Sequence, residues 1–261
     1  MHANDREQLI ADLIQNRGFV SFQELDQKLD VSAATIRRDL DRLVERGLVT
    51  RVRGGARLAS PELTAPSGQI ELLGAPFHEN IGRHTAQKEA IGRAAAALCR
   101  PGEGVMIDGG STTLQMCPHI ASLNLQVLTN SLHIVSALLP QPGTRLLLPS
   151  GSVFREQNII LAASGEDSMP RFHAPRLFMG AAAIGPQGLM QADVVLVAAE
   201  RRLIERADEI IILVDSSKFQ GPSGHLVCDL SEVDILVTDA GISDHDRKMV
   251  EAADIKLIIA E

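Results

Sequence analysis

Two groups of residues in this 261-residue chain have types and spacings that could do chemistry. The first is basic. Between residues 31 and 60 stand Arg37, Arg38, Arg42, Arg46, Arg51, Arg53 and Arg57, seven cations against three carboxylates. Guanidinium forks match phosphate oxygens, so a local surplus of four positive charges suits contact with a polyanion. Ser32, Ala34 and Thr35 lead into this run, and their small side chains let a backbone come close to its target. The second group is rich in hydroxyls, amides and glycine. It comprises Asp108-Gly109-Gly110-Ser111-Thr112-Thr113, Thr129-Asn130-Ser131, Ser150-Gly151, Gly180, Asp215-Ser216-Ser217-Lys218 and Asp239. Glycines admit a ligand to the backbone, and amides with hydroxyls make a nest for phosphate. Any one of these loops is an ordinary turn. Together they offer the donors and acceptors of a polyol, with Lys218 as a cation for its phosphate.

The basic group needs a helix and a hairpin to present it. Ser32 reads as a helix N-cap, and Ile36, Leu40, Leu43 and Val44 behind it mark one apolar stripe. Ala34, Thr35, Arg38 and Arg42 fall on the opposite side, with Arg37 on the flank. Arg38, Arg42 and Arg46 follow at four-residue steps, a repulsion of a few tenths of a kcal/mol per pair that Asp39 and Asp41 can offset. Gly47 fits a C-cap. Leu48 to Arg53 alternates like a strand, Gly54-Gly55 supplies a turn, and Ala56-Arg57-Leu58 returns. Upstream, Ser21-Phe22-Gln23-Glu24 is a capping box for a short helix ending near Leu29, and Asp30-Val31-Ser32 joins it to the next. That is a helix-turn-helix with a two-stranded wing, whose second helix enters the major groove. Leu9, Ile10, Leu13 and Ile14 place a further helix before it, and Phe19-Val20 a short strand beside the wing.

The hydroxyl-rich group needs a sheet. Gly104–Ile107, Leu125–Thr129, Arg145–Leu148, Arg176–Met179, Ile210–Val214, Ile235–Thr238 and Lys256–Ile259 are short apolar runs without alternation, as expected of parallel strands buried on both faces. Helical segments fall between them, at Ser131–Leu139, Val195–Ala207 and Asp244–Ala252, and another precedes them at Ala86–Leu98. The loops named above follow the strands, where open α/β sheets bind ligands. The expected plan is a DNA-reading domain over 1–58, a Pro/Ser/Ala-rich linker over 59–76 and an α/β domain over 77–261.

Three runs carry a family resemblance: Phe19 to Leu25, Val31 to Leu40 and Gly47 to Ala56. With the specific Thr35-Ile36-Arg37-Arg38-Asp39-Leu40 string and the Arg-x-x-Gly-Gly-Ala ending, they resemble the N-terminal domain of the DeoR family of bacterial transcription regulators. The Asp108–Thr113, Thr129–Ser131 and Asp215–Phe219 runs resemble that family's C-terminal effector domain, related in fold to ribose 5-phosphate isomerase. The resemblance implies a repressor of a carbohydrate catabolic operon, modulated by a phosphorylated sugar or sugar derivative. It implies that Ser111, Thr112 and Thr113 cradle phosphate with Lys218, that Asp108 and Asn130 hold hydroxyls, and that Lys88 belongs to the site. The chain departs from the family pattern at Arg53, at Ser150-Gly151 and at Leu196 to Glu200. In the last, Leu and Glu stand where Glu and Lys are common, which implies either a different sugar phosphate or none.

Composition sets the bounds. The net charge of −8 is unevenly spread, with a surplus of one positive charge over residues 1–60 and nine negative over 61–261. Phosphate contacts need local basic charge, and charges beyond a Debye length of about 8–10 Å are screened. Cys99, Cys117 and Cys228 lack metal-ligand spacing and read as reduced, buried thiols. The eight histidines show none either, and no Gly-x-Ser-x-Gly elbow is present. No apolar run approaches a membrane span, and the polar start is unlike a signal peptide, so a cytoplasmic protein without cofactor or metal is expected. Two symmetric half-sites would ask for a dimer or tetramer. The alternative is an isomerase with an N-terminal appendage, using Asp108 or Asp239 as base and Lys218 to stabilise an enediolate.

Overall fold

The computed structural model describes residues 6–7, 9–10, 13, 19–21, 25, 28–29, 31, 33–45, 49–52, 55–58, 77–161, 169–221 and 224–261. The chain forms two compact units, Met1–Gln69 and Ile70–Glu261.

In the first unit, β1 (Phe19–Ser21), β2 (Val49–Val52) and β3 (Gly55–Leu58) form an antiparallel sheet in the order β1-β3-β2. Val52 pairs with Gly55, so Gly55 belongs to the returning strand rather than to the expected Gly54-Gly55 turn. Phe19 and Val20 pair with Arg57 and Ala56, the strand beside the wing that the sequence suggests. The Ala33–Glu45 helix packs Ile36, Leu40 and Leu43 into a core with Ile10, Val20, Leu25, Leu29, Val49 and Ala56. Val44 departs from the expected stripe: it is 38% exposed, because the core takes the narrower arc spaced four and three residues apart. Leu9 is exposed for the same reason, whereas Ile10 is fully buried. Glu24 of the capping box, Ser32, Gly47, Arg53, Gly54 and the 59–76 linker lie outside the described residues.

In the second unit the remaining strands are β4 (Gly104–Ile107), β5 (Gln126–Leu128), β6 (Arg145–Leu147), β7 (Ser152–Phe154), β8 (Ile159–Leu161), β9 (Ala174–Met179), β10 (Ala183–Gly185), β11 (Gly188–Gln191), β12 (Ala207–Leu213), β13 (His225–Cys228), β14 (Ile235–Asp239) and β15 (Lys256–Ala260). Seven of them make one parallel sheet, in the order β15-β14-β12-β9-β4-β5-β6. Successive residues on each strand serve opposite cores. Val105, Ile107, Phe178, Ile211 and Leu213 face one, with Ile91 and Ala95 of the Thr85–Ala96 helix. Met106, Leu177, Met179, Ile210 and Ile212 face the other, with Leu203 and Ile204 of the Val194–Ile204 helix. Burial on both faces is why these strands read as unbroken apolar runs. The helix expected to reach Ala207 stops at Ile204, because Ala207 already pairs with Ala174 in the sheet. The free thiols Cys99, Cys117 and Cys228 are buried, which pushes each up to about 12.

The sequence did not announce two smaller sheets: the β7–β8 hairpin and the antiparallel β10-β11-β13 set. Both matter to the loops below.

Candidate functional site

The strand order places a switch point in the sheet. Chain progress runs outward from β4 through β5 to β6 on one side, and through β9, β12, β14 and β15 on the other. At such a point the connections part to opposite faces and leave a crevice at the carboxyl ends. Asp108 begins the loop after β4, Gly180 follows β9, Thr129-Asn130-Ser131 follows β5 and Asp215 follows β12.

Asp108 and Asn130 are tied together directly. The Asn130 side-chain amide donates to Asp108 Oδ1 at 3.0 Å, and its Oδ1 accepts the Gly109 amide at 3.0 Å. A side chain at Gly109 would put its Cβ 2.5 Å from the Ile159 Cγ2 atom, so only glycine fits between β8 and this loop. The β7–β8 hairpin holds the far side, with the Ile160 amide donating to the Asn130 carbonyl at 2.8 Å. Burial pushes Asp108 up to about 6, even though the Asn130 amide favours its charged form.

The hydroxyls divide into two sets. Thr113 Oγ1 donates toward the carbonyls of Asp108 (2.8 Å) and Gly110 (3.0 Å), Thr129 Oγ1 accepts the Ser131 amide, and Ser131 Oγ caps the Leu132–Leu138 helix through the Ile134 amide. These three shape the loops. Ser111 and Thr112 are buried, and their side chains make no hydrogen bond among the described residues.

Lys88 stands on the Thr85–Ala96 helix, in the field of Asp215, Lys218 and Arg83. Lys88, only 1% exposed, donates to the Asn80 carbonyl. Its ammonium is held below the usual lysine range, first by burial and then by Lys218 and Arg83, while Asp215 opposes the shift. Asp215 caps the Ser216–Gln220 turn of 3-10 helix through the Ser217 amide and leaves Oδ2 buried without a partner among the described residues. Asp239 is otherwise occupied: its carboxylate accepts the Ser216 amide (2.7 Å), the Ser216 hydroxyl (3.0 Å) and the Gly241 amide (2.9 Å). Burial works against its charge, yet these bonds hold it below the ordinary carboxylate value. Gly151 is exposed, and a side chain at Gly180 would meet only ordinary contact with the Leu213 carbonyl. Gly180 is not forced by its surroundings.

Glu200 was visible in the sequence only as a departure. In the structure it is buried on the inward face of its helix, with Leu196, Leu203 and Ile204. Its Oε1 accepts from the Gln191 side chain at 2.6 Å, and Oε2 has no partner among the described residues. Burial, and then the charge of Asp108, raise it well above the usual glutamate range. Among the described residues no group of three His, Cys, Asp or Glu side chains could hold a metal.

In the first unit, Arg38 is exposed on the Ala33–Glu45 helix, and Thr35 is half-buried. Arg42 is 55% exposed but leans on Glu7 at 3.2 Å and Asp39 at 4.0 Å. Asp39 itself is buried in a two-pronged pair with Arg6, at 2.9 and 3.2 Å. It therefore anchors one helix to another rather than balancing surface arginines alone. Ala34, Arg37 and Arg51 are placed by their backbones in the helix and in β2, and Ser32 and Arg53 lie outside the described residues.

Comparison with known proteins follows the same division. Residues 6–62 match the model of the DeoR-like helix-turn-helix domain, and residues 83–240 match that of the DeoR C-terminal sensor domain. The chain belongs to the DeoR family. Family members of full length resemble it along nearly its whole extent. A protein of Escherichia coli O157:H7, provisionally named aga operon transcriptional repressor, is 30% identical over 97% of this chain and 92% of its own. The transcriptional regulator UlaR of Shigella sonnei is 27% identical, over 97% of each chain. The transcriptional repressor GlcR of Bacillus subtilis is 26% identical, over 100% of this chain and 98% of its own. As a DeoR-family protein with both domains, this chain is a DNA-binding transcriptional regulator. A ribose 5-phosphate isomerase A from Methanocaldococcus jannaschii covers 50% of this chain and 52% of its own at a TM-score of 0.38 and 16% identity, too distant a likeness to bear on activity.

Proposed function

We propose that this regulator represses a carbohydrate catabolic operon and is modulated by a phosphorylated sugar or sugar derivative bound at the switch point of its parallel sheet. One observation carries the reading: hydroxyls of Ser111 and Thr112 without a partner among the described residues and the Asp108–Asn130 pair follow the adjacent strands β4 and β5, while Lys218 follows β12 and acts on the buried Lys88. Lys88, Lys218 and Arg83 supply positive charge for an anion there, beside the Asp215 carboxylate that acts more strongly on Lys88 than either of the other cations. The Gly109 amide is held by Asn130 Oδ1, so the loop offers the hydroxyls of Ser111 and Thr112, and Asp108 and Asn130 take sugar hydroxyls. Gly151, Gly180 and Asp215 border the crevice, while Thr113, Thr129 and Ser131 hold its walls.

Operator contact falls to Ser32, Ala34, Thr35, Arg37, Arg38 and Arg42 around the reading helix, with Arg51 and Arg53 on the wing. Two heads of a dimer or tetramer would span half-sites about one helical turn apart, in the cytoplasm where both DNA and sugar phosphates are found. Effector binding typically shifts such an equilibrium by about 1–3 kcal/mol. The isomerase alternative is poorly served: Asp239, one of its two candidate bases, has its oxygens engaged by Ser216 and Gly241.

A mobility-shift titration with DNA upstream of the gene, at fixed salt and against a panel of sugar phosphates, tests this. A specific shift altered by one compound is expected. Arg38→Ala should weaken the operator complex by about 1–3 kcal/mol while leaving effector affinity unchanged. Equal operator affinity would remove Arg38 from the interface, and turnover of a sugar phosphate without any specific shift would restore the enzyme reading.

A further inference from the structure

Phe77 opens the described residues of the second unit, directly after the 59–76 stretch that leads from the DNA-reading domain. It begins the one-turn Phe77–Asn80 helix and is that turn's buried residue, while His78 and Glu79 are exposed. Its amide donates to the Glu156 carbonyl, between β7 and β8, at 3.2 Å. Its ring stacks on His133, with centroids 4.0 Å apart and planes 11° from parallel. His133 is in turn hydrogen-bonded to the Asn158 side chain at 3.1 Å, so both supports of Phe77 lead to the β7–β8 hairpin. At the far end of the turn, the Lys88 ammonium donates to the Asn80 carbonyl.

The same hairpin is fastened to the loops after β4 and β5. Ile160 donates its amide to the Asn130 carbonyl at 2.8 Å, Leu132 donates to the Asn158 carbonyl at 3.0 Å, and Ser131 bridges to Ile159. Ile159 lies so close to Gly109 that a Cβ there would stand 2.5 Å from its Cγ2 atom. Gly109 is bonded to Asn130, and Asn130 to Asp108. Close-packed contacts transmit a shift rather than absorb it. Resting on the sugar-phosphate reading, we propose that the β7–β8 hairpin carries effector occupancy to the chain leading to the DNA-reading domain, with Phe77 as the positioning residue at which the signal leaves.

The hairpin is built to move as a piece. It is a two-stranded sheet of its own, and β7 lies outside the core, so it can tilt without breaking the seven-stranded sheet. A lone hairpin is marginally stable, so its position depends on what it touches. A ligand that engages Asp108 and Asn130 shifts the loop, and the loop takes Ile159 and Ile160 with it. At the other end, a turn anchored by one buried ring is the kind of segment that opens at low cost. Two sites then bias one element: the effector through Asn130 and Gly109, and the operator through the stretch before Phe77. That is what reciprocal coupling requires.

Operator titrations of the full chain test this, with and without whichever of ribose 5-phosphate, glucose 6-phosphate and glycerol 3-phosphate binds by calorimetry. In the unaltered protein the bound compound should change operator affinity, by about 5–150-fold for coupling of ordinary strength. Phe77→Ala should bring that ratio toward unity while compound and operator each still bind alone, a result that misfolding would not give. His133→Ala, which removes the stacked ring from the other side, should lower the ratio in the same way. Hydrogen exchange on the unaltered protein supplies a second reading: the compound should alter protection at Phe77 together with Ile159–Leu161. A full ratio in both variants overturns the proposal, as does a change at Ile159–Leu161 that stops short of Phe77. A compound that binds without altering operator affinity removes the coupling and leaves sugar-phosphate binding in place. Failure of every one of the three to bind would count against that reading, and against this inference with it.

Discussion

Asp108 shows how much one buried carboxyl can report. Displacement from 3.8 to about 6 corresponds to about 3 kcal/mol once the group is fully ionised. Its folded value lies above its unfolded one, so the folded state holds the proton more tightly. The penalty is present above about pH 6, and it lifts as pH falls through 6 and is gone below 3.8. Asp108→Asn keeps an acceptor for the Asn130 amide and removes the charge. It should stabilise the protein by up to about 3 kcal/mol at pH 7.5, with the gain fading toward pH 4. Urea unfolding at both pH values checks this, and an equal difference at the two would mean that burial of the charge is not the cause. At this scale legibility depended on distance along the chain. Asp108, Asn130 and Lys218 stood out because each follows an apolar run. Glu200 could have been read more fully, since it falls four residues after Leu196 and four before Ile204, on a face that should be apolar. The Arg6–Asp39 pair could not, because nothing local marks a contact across 33 residues.

Among the elements, the seven strands of the parallel sheet were plain in the sequence because burial on both faces leaves no polar alternation. The β7–β8 hairpin was not: each strand has three residues, too few to show a period, and the antiparallel partners of β11 are nearly as short. Yet the hairpin sets the wall against Gly109. Gly92 is a second close approach that spacing alone hides. It lies inside the Thr85–Ala96 helix, where alanine is favoured by about 1 kcal/mol in isolation. A Cβ there would stand 2.5 Å from the Gln115 carbonyl carbon and 2.7 Å from its oxygen. Overpacking of this kind costs about 1–3 kcal/mol, and backbone cannot swing aside as a side-chain tip can. Gly92→Ala should therefore lower the melting temperature despite the better helix former. It should also weaken effector binding, because the Thr113–His119 turn it displaces follows directly on Ser111 and Thr112. An unchanged or raised melting temperature would show that the two elements separate at little cost.

For the molecule as a whole, the sequence carried the order of strands and helices but not the switch point between β4 and β9, which exists only once the sheet is assembled. It also left open whether a chain of net charge −8 can hold DNA. The physics of counterion release says that only charges touching phosphate count, each contributing about −0.9 to the slope of log affinity against log salt. Arg38 is exposed, whereas Arg42 is already drawn toward Glu7 and Asp39. Arg38→Ala should therefore make the slope shallower by about 1 for each phosphate it contacts, and Arg42→Ala by less. Glu251→Gln, which removes an exposed negative charge from the Asp244–Ala252 helix, should leave the slope where it was. Operator titrations between about 50 and 200 mM salt distinguish these cases. If Glu251→Gln changed the slope as much as Arg38→Ala, the acidic total rather than the reading helix would govern the interaction, and the local surplus between residues 31 and 60 would lose its explanatory role.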